Sequence, residues 1–327
     1  DENDCRLLYQ AADRVREIHC GPEVFLRGII EFSSYCRKSC YYCGLRKGNI
    51  RLPRFRMSED EIFASARLIH EQGIGTVVLQ SGEDPHFTPD LLASIVGRIL
   101  DSFDVAVTLS AGEFSRDEYR FLREAGADRY LLKIETTNPD IYHAIHPDSR
   151  LEDRLRCTIR LREAGFQVGS GFMIGLPGQT AEDIAKDIWF LKEIEADMAG
   201  IGPFIPHPDT PMGDFKRGSV TATLKATAVS RLVLKDTHLP TTTALESSGR
   251  GNRILGLRAG SNVVMPNFTP LKYRRLYEIY PEKAGSELEP LEALQVVMEQ
   301  IRITGRPIGK GKGDSFKEPF RSRWKNQ

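Results

Sequence analysis

Short apolar, β-branched runs recur along the chain, each followed by a stretch whose apolar residues return at helical spacing. The runs are Val24–Phe32, Thr76–Ser81, Val105–Ser110, Arg129–Thr136, Val168–Leu176, Met198–Ile205, Thr241–Leu245 and Asn262–Pro266. The intervening stretches carry helix punctuation. Ser58-Glu-Asp-Glu61 reads as a capping box and Thr180-Ala-Glu-Asp183 as an acidic first turn. Strand–helix alternation in one continuous chain predicts a parallel α/β fold of the (β/α)8 TIM-barrel type over residues 23–310. The spacing is regular through the sixth unit and less clear in the last two, so a partial barrel of about six strands is the alternative. Residues 1–22 read as a preceding helical segment, and residues 311–327 as a loosely packed C-terminal tail, Lys- and Gly-rich like the residues before it.

Composition narrows the class without naming a function. Among 327 residues, 45 basic and 45 acidic side chains balance, so no bulk field favours nucleic acid or a membrane surface. A hydrophobic content of 40% suffices for one large core. No apolar run approaches the length of a membrane span, and the start has no signal-peptide pattern. Six cysteines do not make a disulfide framework in a chain of this length, which points to a reducing, cytoplasmic setting.

Candidate chemistry begins with Cys36-Arg-Lys-Ser-Cys40-Tyr-Tyr-Cys43, three thiols spaced C-x3-C-x2-C directly after the first strand. Three close thiolates can hold three corners of a cubane iron–sulfur cluster and leave the fourth iron open to a small molecule. Zinc is the alternative, but it wants a fourth ligand in paired spacing, and Cys20, His19 and Cys157 offer none. Tyr41 and Tyr42 can stack on a planar ligand or simply pack.

Active sites of parallel barrels lie at the C-terminal ends of the strands, where this chain places its polar and glycine-rich phrases. Gln80-Ser-Gly-Glu-Asp-Pro85 puts Gly82 where backbone can approach closely and Glu83 where an ammonium could bind. Ser110-Ala-Gly-Glu113 repeats the theme. In Lys133-Ile-Glu135-Thr136, Lys133 and Glu135 share one face of a strand, and a charge pair turned into a barrel is costly unless it binds something. Arg154 opens the next helix and can clamp a carboxylate or stand on a solvated face. Gly169-Ser-Gly-Phe-Met173-Ile-Gly allows close approach of a flat ligand, but it is not a dinucleotide fingerprint. The Gly202-Pro-Phe-Ile-Pro-His-Pro loop can wall a cavity, with His207 either a substrate contact or, by default, a surface residue. No G-x-S-x-G elbow, Walker A loop or H-E-x-x-H helix is present.

With an aromatic before its last cysteine, this loop resembles that of the radical S-adenosylmethionine (SAM) superfamily. Longer phrases narrow the resemblance: Gly28-Ile-Ile-Glu-Phe-Ser-Ser-Tyr-Cys36, Leu79-Gln-Ser-Gly-Glu-Asp-Pro85, Gly175-Leu-Pro-Gly-Gln-Thr180, the Gly200–Pro211 stretch and Met265-Pro-Asn-Phe-Thr-Pro270. Over roughly Ala11 to Ser315 they are similar to the HydE family of FeFe-hydrogenase maturases. The resemblance implies a [4Fe–4S] cluster on Cys36, Cys40 and Cys43, and SAM cleaved reductively to a 5′-deoxyadenosyl radical. It implies SAM contacts at Tyr42, Gly82, Glu83, Ser110, Glu135, Arg154 and Met173. Lys133, Thr136, Pro203, Phe204 and Ile205 would line the substrate cavity. It further implies a small organometallic substrate, an iron complex with cysteine, carbon monoxide and cyanide. An electron donor such as ferredoxin or flavodoxin and other hydrogenase maturases would be the partners. Some family members carry a second cysteine cluster near the C-terminus; Pro281–Gly305 has no cysteine, so none is expected. Methylornithine synthase and biotin synthase are relatives of similar chemistry, and a non-catalytic metal carrier or scaffold is the alternative of a different class.

Overall fold

The structure, a computed structural model, describes residues 2–320. In chain order its elements are α1 (Glu2–Cys20), β1 (Phe25–Leu26), β2 (Gly28–Ser33), α2 (Glu59–Glu71), β3 (Thr76–Ser81), α3 (Pro89–Ser102), β4 (Ala106–Ser110), α4 (Arg116–Glu124), β5 (Arg129–Leu131), α5 (Pro139–Ile145), α6 (Leu151–Glu163), β6 (Gln167–Ile174), α7 (Ala181–Glu193), β7 (Met198–Pro203), α8 (Val220–Leu234), α9 (Thr243–Ser247), α10 (Asn252–Arg258), β8 (Val263–Val264), α11 (Leu271–Arg274) and α12 (Pro290–Ile303). Six strands, β2 to β7, form one parallel sheet in chain order. Strands buried on both faces explain why they read as near-continuous apolar runs: every residue of β2, β6 and β7 is buried.

The helices lie where their caps and apolar stripes put them. Ser58 caps α2 and Thr180 caps α7, each by a capping box. Ile62 and Ile69 of α2 and Leu92, Val96 and Ile99 of α3 pack into one cluster with Val77, Leu79 and Val107 of the sheet. Each such side chain contributes roughly 1.5–3 kcal/mol by leaving water.

The last two units depart from the expected eight-strand pattern. β8 forms its ladder with β1, as a separate two-stranded sheet. The run Thr241–Leu245 is not a strand: Thr242 caps α9 by accepting from the Leu245 amide, which diverts the chain into a helical turn. Single bridges take the place of a ladder, at Met198↔His238, Ile201↔Thr241, Pro240↔Val263 and Ile29↔Asn267. The run Val24–Phe32 divides at buried Arg27, whose amide donates to Val264 and whose guanidinium donates to the Gly313 carbonyl. β5 is only three residues long, because the chain leaves the ladder before Glu135, which has a φ of 65°.

The C-terminal stretch is not the loose tail expected from its composition. Asp314 and Ser315 are buried. Asp314 accepts from Arg129 and Gln167 at 2.7 Å each, and its carbonyl lies 2.8 Å from His238 Nε2. Ser315 donates to Asp197. Buried cations of the sheet need these acceptors, so a polar, glycine-rich segment packs tightly. Residues 321–327 of the expected tail lie outside the described residues. No helix among the described residues is long and apolar enough to cross a membrane.

Candidate functional site

The cysteine loop leaves β2 and is held by bonds that only the fold supplies. Arg37 N donates to the Glu83 carbonyl and Gly82 N to the Ser33 carbonyl. Ser33 Oγ donates to Asp84 at 2.7 Å, and Arg56 grips the same carboxylate through two nitrogens. Arg54 staples the loop from within, donating to the carbonyls of Ser34, Leu45, Arg46 and Asn49. Two glycines make the close approaches possible. A Cβ on Gly82 would sit 2.8 Å from Cys36 Cβ and collide with the Tyr35 carbonyl; one on Gly44 would strike the Glu278 carbonyl and the His207 ring.

The three thiols face a cavity of about 830 Å³. Burial, and then the other thiolates, push Cys40 up to about 12 and Cys43 higher still. Cys36 is also raised, by burial first, although the Glu83 amide at 3.4 Å works the other way. Gathering three anions in a low-dielectric pocket is costly, and bound iron removes that cost. Among the described residues no group of three His, Cys, Asp or Glu is arranged to hold a single metal ion.

Around the mouth, charges alternate. Arg37 pairs with Glu83 at 2.5 Å, and Lys38 lies 4.0 Å from Glu83 and 3.1 Å from Glu113. Arg154 Nε, in turn, is 2.9 Å from Glu113 Oε1. Burial works against the Arg154 charge, but Glu113, aided by the Tyr142 and Tyr42 hydroxyls, holds it protonated. The Arg154–Glu113 contact is an ion pair without hydrogen-bond alignment, and both atoms are buried without a hydrogen-bond partner. Arg154 lines the cavity, and a guanidinium nitrogen without a hydrogen-bond partner there fits a ligand that carries a carboxylate group. Deeper in, Lys133 donates to Glu135 at 2.9 Å, as expected of side chains on one face. Tyr42 lines the cavity, and its hydroxyl is 3.1 Å from His146 Nε2, which fixes the ring.

Every site residue expected from sequence lines this one cavity except Thr136. Thr136 is fully buried away from it, its hydroxyl accepting from the Asn138 amide, because the alternation that turns Lys133 and Glu135 to the cavity turns Thr136 to the other side. His207 is neither a surface residue nor a cavity residue; it is buried behind the loop, accepting from Asp209 N. Sequence reasoning missed Arg37 and Lys38, two cations standing between the cysteines. It also missed the far wall, where buried Lys283 donates to both oxygens of Glu31 at 2.7 Å and Asn267 donates to the same carboxylate. The signal for Glu31 was present, as a lone acid in the apolar run Ile29–Phe32.

The Radical SAM superfamily profile matches residues 30–191. Over 306 residues the chain is 48% identical to the [FeFe] hydrogenase maturase subunit HydE of Thermotoga maritima, covering 94% of this chain and 88% of that one. It is 28% identical to 3-methylornithine synthase of Methanosarcina acetivorans, over 80% of this chain and 75% of that one. Among solved structures, methylornithine synthase (PylB) superposes with a TM-score of 0.82 at 24% identity, covering 95% of this chain and 90% of that one. HydG, a maturase of the [FeFe]-hydrogenase, superposes at 0.78 with 20% identity, covering 92% and 69%. These two likenesses bear on the fold alone. A loop of three thiols on a cavity and close identity over nearly the whole chain converge: the chain belongs to the HydE family of radical SAM enzymes, which use a [4Fe–4S] cluster and SAM.

Proposed function

We propose that this enzyme acts in FeFe-hydrogenase maturation, on a small iron complex bearing cysteine, carbon monoxide and cyanide. The observation that carries the reading is one cavity lined by the three thiols and by Arg154, in a chain 48% identical to a HydE maturase. Identity to the methylornithine and biotin synthases is far lower, at 26–29%, which weakens those alternatives.

Cys36, Cys40 and Cys43 would hold the cluster. When bound, the cluster supplies a low-potential electron and an open iron, and SAM supplies the 5′-deoxyadenosyl group that the electron releases as a radical. The chain's own share is positioning and exclusion. Arg154 would orient the SAM carboxylate, and Glu83 and Glu135 would accept from its ammonium group. Gly82, Ser110, Met173 and Tyr42 would complete that subsite. Lys133, Pro203, Phe204 and Ile205 line the part of the cavity left for substrate, and their packing keeps water out. Eight strand–helix units, the last two joined by single bridges, would make the barrel around it. A cytoplasmic setting suits free thiols. The low-potential electron would come from a ferredoxin- or flavodoxin-type donor, and the product would pass to other maturases.

Anaerobic reconstitution with iron and sulfide, followed by reductant and SAM, tests the reading. Methionine and 5′-deoxyadenosine are expected, and Cys40→Ala should lose both bound iron and cleavage. Addition of the enzyme should restore hydrogenase activity to a maturation mixture lacking only this component. Intact cluster without 5′-deoxyadenosine, or cleavage without restored maturation, would each overturn the corresponding half.

A further inference from the structure

Glu135 is one of four non-glycine residues with positive φ among the described residues, and with Glu282 one of the two that line the cavity. A left-handed conformation costs an ordinary residue on the order of 1–2 kcal/mol and persists only where surrounding structure over-determines it. One side of that restraint is β6: Glu135 N donates to the Gly171 carbonyl, and Met173 N donates to the Glu135 carbonyl, both at 3.0 Å. The other side comes from α7, outside the strands. Asp187 Oδ1 accepts from the Thr137 amide at 2.5 Å and from the Thr137 hydroxyl at 2.7 Å. One turn earlier on the same helix, Asp183 accepts from Asn138 Nδ2 at 2.8 Å. Asp187 is fully buried, and its second oxygen has no hydrogen-bond partner.

A fully buried carboxyl with one orphaned oxygen is an expensive way to hold a turn unless the turn must be held in one place. A threonine hydroxyl and a main-chain amide ending on one oxygen fix the chain two residues beyond Glu135. With β6 fixing Glu135 itself, the side chain has one direction left, toward Lys133 and the cavity.

We propose that Asp187 is a positioning residue for SAM binding: by clamping the Thr137 amide and hydroxyl it locks Glu135 in the left-handed conformation that aims its carboxylate into the cavity. The inference rests on the reading of Glu135 as a SAM contact. Burial raises Asp187 to about 6, so it is a mixture of protonated and ionised forms near neutrality. The function therefore needs the Oδ1 acceptor rather than the charge, and asparagine can supply it.

The experiment measures SAM affinity by equilibrium dialysis on cluster-loaded enzyme, together with thermal stability and the kcat for 5′-deoxyadenosine. Asp187→Ala should weaken SAM binding roughly tenfold, while Asp187→Asn stays within about twofold of the parent. In a Glu135→Gln background, Asp187→Ala should add no further loss of affinity, because its effect passes through Glu135. If Asp187→Ala does not fold, Thr137→Val, which removes only the hydroxyl donor, should weaken binding roughly threefold in the parent and not at all with Glu135→Gln. Lowered thermal stability with unchanged SAM affinity in either variant overturns the proposal and leaves Asp187 a structural residue. So does an equal loss of affinity in the parent and Glu135→Gln backgrounds. If Glu135→Gln itself leaves SAM affinity unchanged, the reading of Glu135 fails instead, and the proposal falls with it.

Discussion

Gly82→Ala is the substitution whose consequence the geometry fixes most directly. The added Cβ would stand 2.8 Å from Cys36 Cβ, with the Tyr35 carbonyl closer still. Carbon–carbon contacts settle at about 3.5–4.0 Å, so Cys36 and the preceding peptide must retreat by about 1 Å. The obstacle is main chain, which Arg54 and the Gly82–Ser33 bond hold in place. Overpacking of this kind costs roughly 1–3 kcal/mol, a fall of a few degrees in Tm for a chain this size. The larger effect is on the cluster. Metal–ligand distances tolerate only about 0.2 Å, so a displacement of about 1 Å at one of three ligands should leave the cluster substoichiometric. Iron and acid-labile sulfide per chain, read with the visible absorbance of the reconstituted protein, measure this. Gly97→Ala is the control: Gly97 lies in α3 with nothing within 4 Å of the added Cβ, and alanine there should be neutral or stabilising by roughly 0.5–1 kcal/mol. A Gly82→Ala protein with full iron content and the Tm of the control would refute the argument.

Two further predictions concern stability. Asp187 has a folded-state pKa raised by burial to about 6, above the unfolded value, so its contribution is fully present below about pH 4 and lost as pH rises through about 6. The shift is worth roughly 3 kcal/mol; in urea unfolding of the metal-free protein, Asp187→Asn should gain about that much relative to parent between pH 4 and 7, and parallel pH curves would contradict it. At the start of β5, Asp314→Ala leaves buried Arg129 without its carboxylate and should cost about 3 kcal/mol, measured by the same unfolding. Adding Arg129→Met should recover part of that loss, and a single-variant cost below about 0.5 kcal/mol would show that the pair does not anchor the C-terminal segment.

How far the site was legible depended on the range of the interactions. Cys36, Cys40 and Cys43 declared themselves through spacing, because three ligands of one cluster on one loop are a local feature. Lys133 and Glu135 were readable together because strand alternation puts them on one face. Thr136 was expected in the cavity from the family resemblance alone, and the alternation that turns Lys133 and Glu135 inward turns it away. Glu113 stood out as a polar residue after a strand, but nothing local says that it meets Arg154 some forty residues on. The Glu31–Lys283 pair spans 252 residues of sequence and has no periodic signature on the lysine side.

The sequence by itself determined the strand–helix alternation, the helix caps, the place of the cysteine loop and the kind of cluster it can hold, since all of these follow from period, composition and short spacing. Only the tertiary structure decided how the last two units join by single bridges, which acids balance Arg154 and Lys38, and that a Lys- and Gly-rich C-terminal segment packs beneath the sheet rather than fraying. Those outcomes depend on desolvation. A buried charge must find a partner wherever the fold brings one, and that search crosses distances along the chain that no local pattern records.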